Sequence, residues 1–189
     1  GQMYQLSGNY VIGWDMSQTR LDYARKWGID ETVLVSQKNV ISKTNNFTRG
    51  KGLDTAIIAY GGNAEKTYDS ILKTLKKSPD THEMGRIVVL GNVTFTYQYL
   101  TNVDIRHSGR TGPGYHDEDW EIGKTSYPEV FMRWTTKTNL ELCMRFIEEG
   151  KIDVDCLTSH LVPLKDIENR IPEIVQKPEQ VMGVVIAME

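Results

Sequence analysis

Asp15 closes the apolar run YVIGW at 10–14, and Ser17 follows two residues later. A carboxylate in that position has two uses. It can accept backbone N–H groups at the start of the next helix. It can also sit at the rim of a wound sheet and accept two hydrogen bonds from vicinal ribose hydroxyls of a dinucleotide. In that second role it repels a 2′-phosphate. Spacing alone leaves both uses open.

Other residues able to do chemistry are sparser. Gly61 and Gly62, followed by Asn63, stand where a strand gives way to a helix, a place that can hold a phosphate on free N–H groups. His82, His107, His116 and His160 are scattered with no HxxxH or HExxH spacing. Cys143 and Cys156 match no zinc-ligand pattern and form no disulfide framework. No metal site and no catalytic residue is therefore assigned. Arg110, Tyr115, His116 and Asp117 fall in a stretch rich in Gly, Pro and aromatics, SGRTGPGYHDEDWEIGKTSYPEVFMRW. Such a long irregular segment is often a lid or binding loop, and the bland reading is a structural Gly-Pro turn cluster. Arg133 and Trp134 come just after it.

The elements that must position these residues alternate. Strands are expected at 10–14, 32–35, 53–60 and 86–90. Between them, Ser17 caps a helix carrying Leu21, Ala24 and Trp27 and stopped by Gly28. The polar segment 39–49 reads as a short helix, and Ala64, Tyr68, Ile71, Leu72 and Leu75 form one helical stripe. The run VDIRH at 103–107 alternates as an edge strand does. Thr138 and Glu141 read as a capping box for a helix ending at Gly150. A strand at 156–162, a helix at 165–176 despite Pro172, and a strand at 181–188 complete the chain. Near-continuous apolar strands separated by helices imply a parallel sheet covered on both faces.

Bulk properties bound the function. The 189 residues are 39% hydrophobic and 25% charged, ordinary for a globular protein. A net charge of −3 gives no electrostatic case for nucleic acid. No run approaches the roughly 18 apolar residues of a membrane span, and no secretory signal is visible. The two cysteines fit a reducing, cytoplasmic compartment.

Three segments, VIGWDMSQTRLDYARKWGIDETV, GLDTAIIAYGG and GRIVVLG, resemble in order and spacing the cofactor domain of the medium-chain dehydrogenase/reductase superfamily, the zinc-type alcohol, sorbitol and threonine dehydrogenase group. The later stretch from SGRTGPGYHDEDW to LTSHLVPLKDI is similar to a subgroup of sugar- or polyol-acting members. The resemblance implies an α/β fold: a Rossmann-like, mostly parallel sheet flanked by helices, incomplete at its N-terminus, with a small C-terminal α+β segment. It implies an NAD-binding domain over 1–135 and, over 136–189, a segment returning to a catalytic domain. It places Asp15 on the adenosine ribose and Arg20 near the adenine edge. Ala59, Tyr60 and Gly61 would line the cofactor, and Gly91, Asn92 and Val93 would approach the nicotinamide. The parent activity would be hydride transfer between NAD and a small alcohol or sugar. It also implies a homodimer, two copies pairing through the edge strand 103–107.

The chain departs from that pattern. It has no GxGxxG turn, and residues 2–7 resemble only the end of the family's first helix. On this reading the chain is a fragment, inactive alone, with zinc confined to a catalytic domain it lacks. Without the first strand of the expected 3-2-1-4-5-6 order, two strand edges lose their partner. The sheet must then close the gap, recruit another segment or borrow a strand. The alternatives are a non-catalytic dimeric module whose nucleotide site is lost, and a flavodoxin-like sheet with YVIGW central and a phosphate at 61–63.

Overall fold

The structure is a computed structural model and describes residues 1–35, 39–109 and 112–188. In chain order the elements are α1 (Gln2–Leu6), β1 (Ile12–Asp15), α2 (Gln18–Lys26), β2 (Glu31–Leu34), α3 (Val40–Phe47), β3 (Thr55–Ile58), β4 (Gly62–Asn63), α4 (Glu65–Thr74), β5 (Lys76–Lys77), β6 (Glu83–Val89), β7 (Val93–Thr94), β8 (Asn102–His107), α5 (Glu118–Glu121), α6 (Thr136–Glu148), β9 (His160–Pro163), α7 (Ile167–Val175) and β10 (Val184–Ala187). The chain divides into two compact units. One is Gly1–Val40 with Phe146–Glu189, the other Ile41–Arg145.

In the first unit, β1 and β2 pair in parallel, with Asp15 opposite Leu34 at the ends of both strands. The helix between them forms where the sequence places it. Ser17 is its N-cap, accepting the Arg20 N–H at 3.4 Å. Leu21 points into the core, and Tyr23 stacks on Trp27 one turn later at 5.6 Å. Gly28 follows with φ +84, a left-handed value that suits glycine after a helix. The remainder of the unit is a second parallel pair, β9 with β10, joined through α7. Leu21, Val33, Val40, Val162 and Ile174 are buried apolar residues of this unit, and Thr32 is buried as well.

In the second unit, β6 is central. It pairs in parallel with β3 on one side (Thr55 opposite Arg86) and with β8 on the other (Met84 opposite Asn102). β5 adds a short antiparallel contact at the start of β6. The α4 stripe is buried as its spacing implies: Ala64, Tyr68, Ile71, Leu72 and Leu75 are all at most 8% exposed. They join Ala56, Ile58, Ile87 and Val89 as the core, and Tyr68 stacks on Phe95 at 4.4 Å. Among the described residues, no helix is long and apolar enough to cross a membrane.

The parallel ladders with interleaved helices give the expected α/β class. Among the described residues β1 pairs with β2 alone, so nothing there supports the flavodoxin-like alternative with YVIGW central. Two local expectations change as well. The cap of α6 lies three residues earlier: Thr135 Oγ1 accepts from Thr138 N–H at 3.3 Å, and Thr138 Oγ1 accepts from Thr135 N–H at 2.8 Å. Cys156 and Leu157 lie in a single 3-10 turn, not a strand, because Asp153 Oδ1 takes the N–H groups of Asp155 and Cys156.

Candidate functional site

Asp15 is the last residue of β1, and β1 and β2 run the same way. It therefore lies at the C-terminal rim of a parallel pair, where open α/β sheets bind ligands. The carboxylate is divided in its use. Oδ1 accepts the Ser17 N–H at 2.8 Å and a hydrogen bond from Arg20 Nη1 at 3.4 Å. Oδ2 has no partner among the described residues. The side chain keeps 30% of its exposure and Arg20 keeps 42%. The helix-entry use is therefore realised: Oδ1 orders the turn into α2. Arg20, in the first turn of α2, lies beside it as a planar cation.

The other six predicted residues belong to the second unit and come together at the end of its sheet. Beyond β3 the chain runs through Ala59, Tyr60 and Gly61, and beyond β6 through Leu90, Gly91, Asn92 and Val93. Leu90 N–H donates to Ile58 O at 2.9 Å, and Gly62 N–H to Asn92 O at 2.9 Å. The two segments then pair as the short ladder β4–β7. At Gly91 a β-carbon would meet Tyr60 O at 1.9 Å, so only glycine lets these backbones touch. Gly61 is looser, with Asn92 O at 3.4 Å from such a carbon. Ala59, Tyr60, Gly61 and Asn92 are exposed, and Gly91 and Val93 are half-buried. The Tyr60 hydroxyl donates to Thr67 Oγ1 at 2.7 Å, which holds its ring against the first turn of α4.

That ladder removes the phosphate reading of 61–63. Gly62 N–H and Ala64 N–H are spent on Asn92 O and Thr94 O, and Asn63 Oδ1 caps Glu65 N–H at 3.0 Å. Glu65 itself puts a carboxylate in the first turn, which repels an anion.

Past Val93, a cleft of about 390 Å³ is lined by Val93, Thr94, Phe95, Tyr97, Ile105 and His107. Reading the sequence named only Val93 for this place. The signal was the aromatic run FTY directly after the β6 exit, together with a histidine at the end of β8.

The long loop is packed on itself. Asp117 caps α5 by accepting the Trp120 N–H at 3.2 Å and also accepts from the Tyr127 hydroxyl. The Tyr127 bond, and then the Trp120 N–H, hold the Asp117 carboxyl below the usual carboxylate range, and the same bond pushes the Tyr127 phenol up. Tyr115 lies against the His116 ring at 4.0 Å, and Arg133 lies over the Trp134 ring at 5.4 Å. Arg110 lies outside the described residues. Among the described residues, no group of three or more His, Cys, Asp and Glu side chains is placed to hold a metal ion.

Known proteins share this fold. The profile of the zinc-binding dehydrogenase family matches residues 1–122. An alcohol dehydrogenase of Cupriavidus necator is 26% identical over 158 residues, covering 83% of this chain and 37% of that protein. The chain thus spans about a third of the length of that relative. The alcohol dehydrogenase TADH from Thermus sp. ATN1 superposes over the whole chain and 47% of its own, with TM-score 0.70 and 16% identity. An NAD-dependent alcohol dehydrogenase superposes over the whole chain and 46% of its own, with TM-score 0.63 and 21% identity. The chain belongs to the zinc-binding dehydrogenase family of the medium-chain dehydrogenase/reductase superfamily.

Proposed function

We propose that this chain is the cofactor-binding part of an NAD-dependent dehydrogenase that moves hydride between a small alcohol or polyol and the nicotinamide. The observation that carries the reading is the open Oδ2 of Asp15 at the C-terminal rim of β1. A carboxylate oxygen there accepts from ribose hydroxyls and repels a 2′-phosphate. Bound NAD would supply the hydride acceptor. In the first unit, Asp15 holds the ribose and Arg20 lies near the adenine edge. In the second, Ala59, Tyr60 and Gly61 line the cofactor. Gly91, Asn92 and Val93, whose backbones already touch across the sheet end, form the nicotinamide side. The parts 1–135 and 136–189, a cytoplasmic location and a homodimer through 103–107 belong to the same reading. Any zinc would be held by residues other than those described.

Calorimetric titration of NAD and NADP tests it. NAD is expected to bind more tightly, and a preference for NADP overturns the role given to Asp15. A second reading, a dimeric module without a working nucleotide site, draws support from the use of Asp15 Oδ1 in capping α2. A flat titration with a well-formed dimer favours it.

A further inference from the structure

β8 carries a histidine where its sheet face otherwise carries core. In the parallel register Ile87 stands beside Ala56 and Ile105, and Val89 beside Ile58 and His107. Residues side by side in a ladder point to one face. His107 therefore continues a row whose other two members, Ile58 and Val89, are each 1% exposed. His107 itself is exposed, and with Ile105 it lines the cleft of about 390 Å³. The rest of the cleft comes from the segment that leaves β6. The short ladder ties Val93 and Thr94 to Gly62 and Asn63, and Thr96 N–H donates to Glu65 Oε2 at 2.8 Å. Phe95 stacks on the buried Tyr68. This wall is thus held by α4 and β4, while the Tyr97 ring keeps 63% of its exposure. Among the described residues, the Tyr97 hydroxyl and the His107 ring have no hydrogen-bond partner.

Two aromatic rings, two aliphatic side chains and a few polar tips in one cleft suit one kind of ligand. A flat apolar ring stacks on an aromatic face and withdraws its surface from water. A cavity of about 150 Å³ holds benzene, so about 390 Å³ leaves room for a substituted ring. A single oxygen on that ring is enough for an imidazole, whose nitrogens can donate or accept. A polyol carries a hydroxyl on nearly every carbon. It gains little from Phe95, Tyr97 and Ile105, because a hydroxyl moved from water onto an apolar wall without a partner is a cost. We infer that the cleft takes the ring of an aryl alcohol, stacked on Tyr97, with its oxygen hydrogen-bonded to His107. This rests on the dehydrogenase reading above and names, among the alcohols that reading allows, the class this cleft selects. Tyr97 selects for the ring and His107 for the oxygen.

The test titrates this chain with benzyl alcohol, toluene and sorbitol, without dinucleotide, and follows the amide resonances of Thr94, Ile105 and His107. Benzyl alcohol is expected to shift all three saturably, and sorbitol to leave them in place. Tyr97→Ala should weaken benzyl alcohol about fivefold. His107→Leu should keep the ring bound but abolish the preference for benzyl alcohol over toluene, about fivefold in wild type. Both side chains are exposed, and circular dichroism verifies that the variants fold. Three results overturn the inference: no saturable shift with benzyl alcohol, tighter binding of sorbitol at the same amides, or binding that neither substitution alters. A separate NAD titration read at Asp15 keeps the two readings apart. NAD binding beside a cleft that ignores benzyl alcohol defeats the aryl-alcohol site alone. Benzyl alcohol binding in a chain indifferent to NAD upholds the site and defeats the dinucleotide reading.

Discussion

The two units use the same parallel plan with different depths of burial. In the first, β1 pairs with β2 alone among the described residues, and all four of its residues are half-buried. In the second, β6 has strands on both sides, Ile87 and Val89 are at most 1% exposed, and the neighbouring β3 contributes Ala56 and Ile58. A strand flanked twice can commit its side chains to a core. A strand flanked once keeps them near the surface, and β1 is the one that ends in the acceptor Asp15. The second unit is accordingly expected to dominate stability, and under the proposed function the first would choose the dinucleotide.

The sharpest break in that comparison is at Gly91. Gly91→Ala forces a β-carbon to within 1.9 Å of Tyr60 O, and backbone cannot swing aside as a flexible side chain can. Urea unfolding should register a loss of about 3 kcal/mol or more. Gly61→Ala, with its nearest atom at 3.4 Å, should cost well under half of that. Equal losses would mean that the two strand exits are not locked where Tyr60 meets Gly91.

Next come paired truncations of the two cores. Ile87→Ala removes a fully buried side chain and is expected to cost about 2–5 kcal/mol. Ile12→Ala in half-buried β1 should cost about 1.5 kcal/mol or less, since less apolar area returns to water. Denaturant midpoints compare them directly, and a larger loss at Ile12 would reverse the assignment of stability to the second unit.

The smallest effect is one of pH. The folded-state Asp117 carboxyl lies below its ordinary value because Tyr127 and then the Trp120 N–H stabilise the anion. Its contribution is present above the unfolded value of about 4 and fades as pH falls through the lowered folded value. The Trp120 amide resonance should move on acidification below about pH 4. That movement should vanish in Asp117→Asn if the carboxylate is its cause.

Much of this was legible because the signals were periodic or local. The α4 stripe repeats at helical spacing and is buried at every position read from it. Ser17 precedes α2 by one residue and caps it. What escaped reading depends on partners distant in sequence. The ladder β4–β7 consists of Gly62–Asn63 and Val93–Thr94, too short for any pattern, and it forms only because β3 and β6 are already side by side. The Gly91 contact with Tyr60 is equally invisible before the two exits are adjacent. At 135–138 several threonines compete for the cap, and hydrogen-bond geometry selects Thr135. At 153–157 a side-chain turn outweighed an apolar run. For the site, the position of Asp15 was readable, and the division of its two oxygens was not.

The central claim is that Asp15 presents a free carboxylate oxygen to a ribose. Amide chemical shifts of this chain titrated with NAD and with NADP, in wild type and in Asp15→Asn, test it most directly. The account predicts shifts at Asp15, Ser17 and Arg20 that saturate at lower NAD than NADP concentration in wild type. Asp15→Asn should erase that difference, leaving Arg20 free to favour the 2′-phosphate. A wild-type chain that prefers NADP, or one in which NAD leaves those three amides unmoved while shifting others, would contradict it.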